Sequence, residues 1–242
     1  MSTFHEKVYH IFTSTGTIIQ IECGLNAVGS CAQLVSITNG NVLVVANKRI
    51  PMSTMQEEEI EFIHKITDNI YIALTGVYGD VIGIINEAIE LAGKLEYEMG
   101  CKISADVFVK KFAMKMQKNI QRSNKRLQAF AMHVFGLFEE FNGGENKKSI
   151  KLFYTDLSAI QYEMFACASG EDSAKMTTYL EKTYKNDMSE NELIFTGINT
   201  LLQSIGKEAE HTEIDVVVYD GITTRKLSSV ELDKYLQDIA EQ

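Results

Sequence analysis

Four side chains in this sequence are candidates for nucleophilic chemistry, and none has an evident base beside it. Ser14, Ser30, Cys31 and Cys167 carry the hydroxyl or thiol that covalent catalysis requires. None of them lies in a Gly-x-Ser-x-Gly elbow. Local motifs therefore predict no catalytic residue.

The histidines and cysteines lack the spacing of a metal site or of a disulfide framework. The five histidines form no His-x-x-x-His pair, and the four cysteines form no Cys-x-x-Cys pair. We expect no metal, no cofactor, and reduced thiols that are mostly buried. The residues concerned are His5, His10, His64, His133, His211, Cys23, Cys31, Cys101 and Cys167.

The composition favours a folded intracellular protein. The 242 residues are 45% hydrophobic and carry a formal net charge of −10. Nucleic acids and anionic membranes bind basic faces, so this balance argues against both, although a local basic patch is compatible with it. No apolar run approaches the ~20 residues of a membrane span.

Turn residues and β-branched runs predict strands in the first third of the chain. Gln33 to Asn47 contains two such runs around Thr38-Asn39-Gly40-Asn41, in which Asn-Gly is a strong hairpin signal. A second pair, Ile60 to Ile66 and Ile70 to Leu74, is joined at Asp68-Asn69.

From Tyr78 onward the apolar period is that of a helix. One amphipathic helix ends before Gly100 and is expected to bury Val81, Ile85, Ala88, Ala92, Leu95 and Met99. A second helix, capped by Ser104 with Asp106 in its first turn, has the inner face Ala105, Phe108, Val109, Phe112, Ala113, Met116 and Ile120.

The remaining chain again has strands followed by two helices. We expect strands over Ala129–Phe138, Ser149–Tyr154, Ile160–Cys167 and Ile214–Tyr219. Helices are expected from Ser173 to Tyr184, from the capping box Ser189-x-x-Glu192, and from Ser228-x-x-Glu231. Two stacked antiparallel sheets covered by helix pairs would bury every amphipathic face. The prediction is one α/β (α+β) domain over residues 1–242, a four-layer αββα sandwich.

The sequence predicts a short apolar helix near the N-terminus whose apolar surface must be buried against another surface. It is expected over residues 17–28, behind a turn at Thr13 to Gly16, and carries Ile18, Ile19, Ile21, Leu25 and Val28. Neighbours of the same fold in an oligomer would bury such a surface.

The N-terminal residues resemble the signature of the alpha-type subunits of the 20S proteasome, and the resemblance extends from about residue 5 to the C-terminus. That signature is an aromatic-Asp-Arg segment followed by Ile-Phe-Ser-Pro-x-Gly-Arg-Leu-x-Gln-Val-Glu-Tyr-Ala. The matching residues are His5-Glu6-Lys7 and Ile11-Phe12-Thr13-Ser14-Thr15-Gly16-Thr17-Ile18-Ile19-Gln20-Ile21-Glu22-Cys23-Gly24. Gly29-Ser30-Cys31-Ala32 is similar to the family's Gly-Ser-Thr-Ala.

Later motifs of the family are also matched. Across the N-terminal signature and these later motifs, three of the family's prolines are replaced. Lys65-Ile66 through Ile70 resembles Lys-Ile-x-x-x-Ile, and Thr75-Gly76 resembles a Thr-Gly element. Gln117, Gln121 and Arg126 resemble the motif Gln-x-Tyr-Thr-Gln-x-x-x-x-Arg-Pro-x-Gly, and Asp156-Leu157-Ser158-Ala159 resembles Asp-Pro-x-Gly. Because Ser14, Leu127 and Leu157 stand at the proline positions, we expect neighbouring packing to hold these turns.

Two segments resemble most closely the alpha type-6 class, the first position of the alpha ring. They are Arg49-Ile50-Pro51 and the ending Ile239-Ala240-Glu241-Gln242.

The resemblance implies the same sandwich, an Ntn-hydrolase-like fold, and a non-catalytic structural and gating role. Seven different alpha subunits form each outer ring, stacked on beta rings that carry the proteolytic threonines. The implied partners are six other alpha subunits, beta-ring subunits and the C-terminal tails of activators. The implied setting is ubiquitin-dependent protein degradation in the cytoplasm and nucleus.

The resemblance also implies three groups of site residues. Residues 1–12 would be the gate tail, with His5, Glu6, Lys7, Ile11 and Phe12. The helix over residues 17–28 would lie on the outer ring face, with Gly16, Gln20 and Glu22 as its family residues. Lys65, with Gly29 beside it, would receive the terminal carboxylate of an activator. Alternatively, Lys65 only balances Asp68 or the run Glu57 to Glu59.

Two other interpretations are open. In a beta-type subunit, cleavage at Gly29-Ser30 would expose Ser30 as the nucleophile, but the hairpin register puts Ala46 where such a subunit needs an aspartate. The fold could also serve as a standalone scaffold or binding module.

Overall fold

A computed structural model describes residues 12–49, 62–122, 125–142, 145–206 and 209–240, and only the backbone of residues 140–142 and 145–147. The strands are β1 (Leu34–Thr38), β2 (Leu43–Lys48), β3 (Ile63–Lys65), β4 (Ile70–Gly76), β5 (Phe130–Asn142), β6 (Glu145–Asp156), β7 (Gln161–Met164), β8 (Ala166–Ser169), β9 (Ile214–Tyr219) and β10 (Thr224–Lys226). The helices are α1 (Ile19–Val28), α2 (Tyr78–Met99), α3 (Ala105–Ile120), α4 (Ser173–Thr183), α5 (Glu190–Ile205) and α6 (Ser229–Ala240).

The strands form two five-stranded sheets with antiparallel pairing throughout the described residues. The first sheet has the order β10-β9-β2-β1-β8, and the second has the order β3-β4-β5-β6-β7. Both predicted hairpins are confirmed, and Gly40 takes a φ of +89° in the β1–β2 turn. This left-handed backbone conformation is the one that favours glycine over residues with a side chain.

The sheets stack face to face, and helices cover both outer faces. α2 and α3 pack on the second sheet, while α4 and α5 pack on the first. The layer between the sheets is filled by large apolar side chains: Leu34, Leu43, Val45, Tyr71, Phe135, Leu152 and Tyr219. Burying each of them stabilises the fold by roughly 1.5–3 kcal/mol before the entropy cost. The predicted αββα sandwich is confirmed.

The amphipathic faces of the helices are largely as predicted, with two corrections. Met99 is 54% exposed because α2 ends there, with Gly100 in the left-handed conformation after it. Ser104 makes no side-chain cap on α3, since its hydroxyl donates to the Asp106 carboxylate. The capping box Ser189/Glu192 at the start of α5 is confirmed.

Three predictions about strands and helix limits are corrected. The run from Ile160 to Cys167 is two strands in different sheets, because the chain crosses between them at Phe165. β10 was not predicted, since its residues are all polar. α1 begins at Ile19, two residues later than expected, with Ile18 in an extended conformation before it.

The prediction of mostly buried thiols is wrong. Cys167 is buried, but Cys31 is only half-buried, and Cys23 and Cys101 are exposed at α1 and after α2. In the described part of the chain, no helix combines the length and hydropathy that crossing a membrane requires.

Candidate functional site

The helix α1 has one face against the sandwich and one face open to solvent. Ile21, Ala27 and Val28 pack on the apolar cluster between the second sheet and α2–α3. Gly24 lies against the side chain of Leu157, which is buried. The opposite face carries Glu22, Cys23, Asn26 and Leu25, and Leu25 is 40% exposed. This outer face is available for a partner.

A network of threonine hydroxyls holds the turn before α1. The Thr13 hydroxyl lies 2.7 Å from that of Thr15 and 2.9 Å from that of Thr17, and it accepts a hydrogen bond from the Thr17 N–H. Gly16 takes a φ of +81°. Ser14 is exposed, so packing does not hold this turn, and that prediction is wrong here.

The other two turns without proline are held by packing, as expected. Leu127 and Leu157 are both buried in the apolar cluster under α2 and α3. The Leu157 turn gains further support from Asp156, whose carboxylate accepts from the Ser158 N–H at 2.8 Å and from its hydroxyl at 2.6 Å.

The predicted gate and helix residues are only partly described. Phe12 is 70% exposed ahead of the turn, while His5, Glu6, Lys7 and Ile11 lie outside the described residues. Gln20 is half-buried and its Oε1 has no hydrogen-bond partner among the described residues. Glu22 is exposed in the first turn of α1, where a carboxylate complements the helix dipole.

Lys65 belongs to an exposed cluster of three charges at the edge of the second sheet. Its Nζ lies 3.1 Å from Asp68 Oδ1, and Lys102 Nζ lies 2.9 Å from Asp68 Oδ2. Hydrogen bonds from Lys102 and Lys65 lower the pKa of Asp68. The alternative that Lys65 balances Asp68 is therefore realised in the structure, while the run Glu57 to Glu59 lies outside the described residues.

Gly29 and Ser30 lie in the turn that ends α1, well ahead of β1. Gly29 is the C-cap of α1 with an ordinary φ of −62°, and it is exposed. The described hydrogen bonds do not join it to Lys65. The Ser30 hydroxyl donates to the Asn26 carbonyl at 3.4 Å. Ala46 is buried in the apolar cluster under α4 and α5, so no carboxylate stands at that position of β2.

A buried serine–histidine–serine bridge, which the sequence motifs did not reveal, joins the two sheets. Ser36 Oγ of β1 lies 2.8 Å from His133 Nδ1 of β5, and His133 Nε2 lies 2.7 Å from Ser169 Oγ of β8. Burial lowers the pKa of His133 to about 3, so the imidazole is neutral. All three residues are buried, hence no substrate can reach them and their role is structural.

The exposed face of α2 carries large apolar side chains at helical spacing. Tyr78, Ile82 and Ile89 are 68%, 43% and 45% exposed, and we call these three residues the α2 stripe. Apolar residues aligned in this way are typical of a protein–protein contact. Elsewhere in the described residues, no group of three or more His, Cys, Asp and Glu could hold a metal ion.

Comparison with known proteins gives one family. The sequence model of a family described as Proteasome subunit matches residues 28–219.

Relatives match over nearly the whole chain. It is 26% identical to a probable proteasome subunit alpha type-1 of Schizosaccharomyces pombe, over 98% of this chain and 97% of that protein. It is 26% identical to a proteasome subunit alpha of Methanopyrus kandleri, over 98% and 94% of the two chains. It is 27% identical to a proteasome subunit alpha type-2-A of Arabidopsis thaliana, over 94% of each.

Proposed function

The chain belongs to the proteasome subunit family, and from that premise we propose that it is a non-catalytic alpha-type subunit in the outer ring of a 20S proteasome. The relatives named above are alpha subunits from a fungus, a plant and an archaeon. In this role the chain would build the ring, help close its pore and receive activators.

The observation that carries this proposal is the packing of α1. Its inner face covers part of the apolar cluster through Ile21, Ala27 and Val28, and Gly24 contacts Leu157. A propeptide removed at Gly29-Ser30 would take this cover away and expose those apolar side chains to water. The packing of α1 therefore supports an alpha-type extension over a propeptide that is removed.

The surroundings of Ser30 and Ala46 support a non-catalytic role. Ser30 is held by its hydrogen bond to the turn of α1, and Ala46 presents a methyl group to an apolar cluster. Activating a serine or an N-terminal amine needs a base oriented by a third group. A beta-type, threonine- or serine-protease-like subunit remains the competing function, and the mass of the native chain separates the two.

For assembly, we propose that the α2 stripe and the outer face of α1 contact neighbouring subunits. The expected neighbours are six other alpha subunits and the subunits of a beta ring. The α2 stripe exposes three large apolar side chains and the outer face of α1 exposes Leu25, in a protein of net charge −10. Burying them in a ring would remove that area from water.

For gating, we propose that residues 1–12 form the tail that helps to close the pore. The turn at Thr13 to Thr17 fixes where this tail joins the subunit, since its hydroxyl network ties both ends of the turn together. The tail would then control the entry of substrates during ubiquitin-dependent protein degradation in the cytoplasm and nucleus.

The ring position that we propose is the first one, the alpha type-6 class. It rests on Arg49-Ile50-Pro51 and the ending Ile239-Ala240-Glu241-Gln242. Cross-linking of the native particle tests it, because each ring position has two defined neighbours. Cross-links to the neighbours of another position would reject this assignment.

For activator docking, we propose that Lys65 receives a C-terminal carboxylate, with Gly29 leaving room beside it. Lys65 is 53% exposed at its side chain, so it can reach a partner. An ion pair this exposed is held weakly because water and salt screen it. Asp68 keeps Lys102 as a partner when Lys65 turns to the incoming carboxylate. A charge-assisted hydrogen bond would then form between Lys65 and that carboxylate.

The docking role is tested with Lys65→Ala and with Lys102→Ala as the matched control. Both variants remove one of the two lysines that pair with Asp68. We expect Lys65→Ala to weaken binding of an activator tail peptide at the one pocket that contains this residue by about 10- to 100-fold, the loss of one charge-assisted hydrogen bond, and to leave assembly of the particle intact. Lys102→Ala should bind as the wild type does. Equal affinities for the wild type and Lys65→Ala would reject the role of Lys65.

A further inference from the structure

A glycine in the middle of α1 lies directly against a buried side chain of the sandwich, that of Leu157. A Cβ built on Gly24 would lie 2.9 Å from Leu157 Cδ1 and 3.0 Å from Leu157 Cδ2. Carbon atoms in contact are normally about 3.5–4.0 Å apart. An alanine at position 24 would therefore force α1 or Leu157 to move by about 0.6 Å or more.

Leu157 is poorly able to move away. Its side chain is 1% exposed and lies in the apolar cluster, and its N–H donates to the Phe130 carbonyl. The residues on both sides are fixed as well, because Asp156 binds the Ser158 N–H and Ala159 holds a φ of +65°. The strain of a larger residue at position 24 would thus fall on the helix.

The presence of a glycine inside the short helix α1 is explained by its packing. Glycine inside a helix is less favourable than alanine, because its backbone loses more conformational freedom. α1 has only ten residues, and its N-cap Ile18 makes no side-chain cap. A helix this short depends on tertiary contacts, so the contact at Gly24 has to offset the cost of the glycine.

We propose that Gly24 and Leu157 are matched positioning residues that set how deeply α1 sits on the sandwich. Through this depth they set where the outer face of α1 stands in the subunit ring. The ring part of the proposal rests on the proposed alpha-type function, whereas the matched pair itself does not.

The pair is tested by thermal unfolding of the full chain with Gly24→Ala, Leu157→Ala and the double variant. Gly93→Ala is the matched control, because a Cβ at this helical glycine of α2 meets nothing within 4 Å. We expect Gly93→Ala to raise Tm by about 1–4 °C and Gly24→Ala to lower it by about 3–8 °C.

Leu157→Ala should reverse the effect of the glycine change. In that background, Gly24→Ala should raise Tm as Gly93→Ala does, because the clashing methyl groups are gone. A rise in Tm for Gly24→Ala in the presence of Leu157 would overturn the pair. An equal loss of Tm for Gly24→Ala with and without Leu157 would also overturn the pair.

The ring part is tested by thiol-to-amine cross-linking from Cys23, on the exposed face of α1, to the neighbouring subunit in particles that carry each variant, expressed per assembled particle. We expect Gly24→Ala to change the cross-linking yield several-fold, and the double variant to return towards the wild-type yield. A purely structural role would lower the yield of particles and leave the cross-linking yield per particle unchanged, which would overturn this part. A wild-type chain that enters no particle would instead overturn the proposed function, with the Tm measurements still deciding the pair.

Discussion

The buried bridge at His133 makes the stability of this subunit fall steeply in weak acid. The ring of His133 is neutral in the folded chain, where one ring nitrogen donates a hydrogen bond to one of the hydroxyls of Ser36 and Ser169 and the other ring nitrogen accepts one from the other hydroxyl. Burial lowers its pKa from 6.5 to about 3. Nearby Tyr154 and Cys167 have pKa values raised by burial, so both are neutral throughout weak acid.

The sign and the size follow from proton linkage. The unfolded chain takes up a proton at His133 below its ordinary pKa of 6.5, while the folded chain does so only near 3. The neutral His133 therefore contributes its full share to the free energy of unfolding above pH 6.5, and this share is lost as the pH falls towards 3. At pH 5 the loss amounts to about 2 kcal/mol, with a slope of about 1 kcal/mol per pH unit.

The assay is urea unfolding of the full chain between pH 8 and pH 5, with His133→Gln beside the wild type. The amide of Gln can still donate and accept, but it does not titrate. We expect the variant to be less stable at pH 8 by about 1–3 kcal/mol and to lose about 2 kcal/mol less than the wild type on going to pH 5. His211→Gln, which removes a part-exposed histidine, controls for the loss of a histidine as such. Equal pH slopes for wild type and His133→Gln would refute this reasoning.

Two further predictions concern turns that carry strain or hold a buried contact. Ala159 has a φ of +65°, so Ala159→Gly should raise the free energy of unfolding by about 1 kcal/mol, whereas an unchanged or lower value would contradict a strained turn. Asp80 accepts hydrogen bonds from Arg126 and from the Ala129 N–H, and Arg126 lowers the pKa of Asp80. Asp80→Ala leaves the buried Ala129 N–H without an acceptor and should cost about 1–3 kcal/mol in urea unfolding, while Arg126→Ala should cost less.

Apolar periodicity predicted most of the sandwich because it reports directly which face of an element is buried. The buried positions of α3 and the register of the β1–β2 hairpin were predictable from spacing and turn residues. The run from Ile160 to Cys167 was misjudged because apolar character says nothing about the sheet to which a residue belongs. β10 was missed since Thr224, Arg225 and Lys226 bury no side chain.

Contacts between residues far apart in the sequence could not be predicted from local spacing. The bridge joins Ser36, His133 and Ser169, which no spacing rule relates. In the motifs that the sequence resembles, Gly24 stands where the N-terminal signature ends in Ala, and Leu157 stands at the Pro of Asp-Pro-x-Gly. Only the structure shows that the two residues touch. Similarly, Lys65 was expected to have either a partner tail or Asp68, and the geometry shows the Asp68 contact while leaving the lysine exposed.

The measurement that tests the alpha-type assignment most directly is a map of the native particle, combined with the intact mass of this chain taken from it. Our account predicts the chain in the outer ring, with α1 on the outer ring face and an N-terminus near Met1 or Ser2. A chain in an inner ring that begins at Ser30 would contradict it.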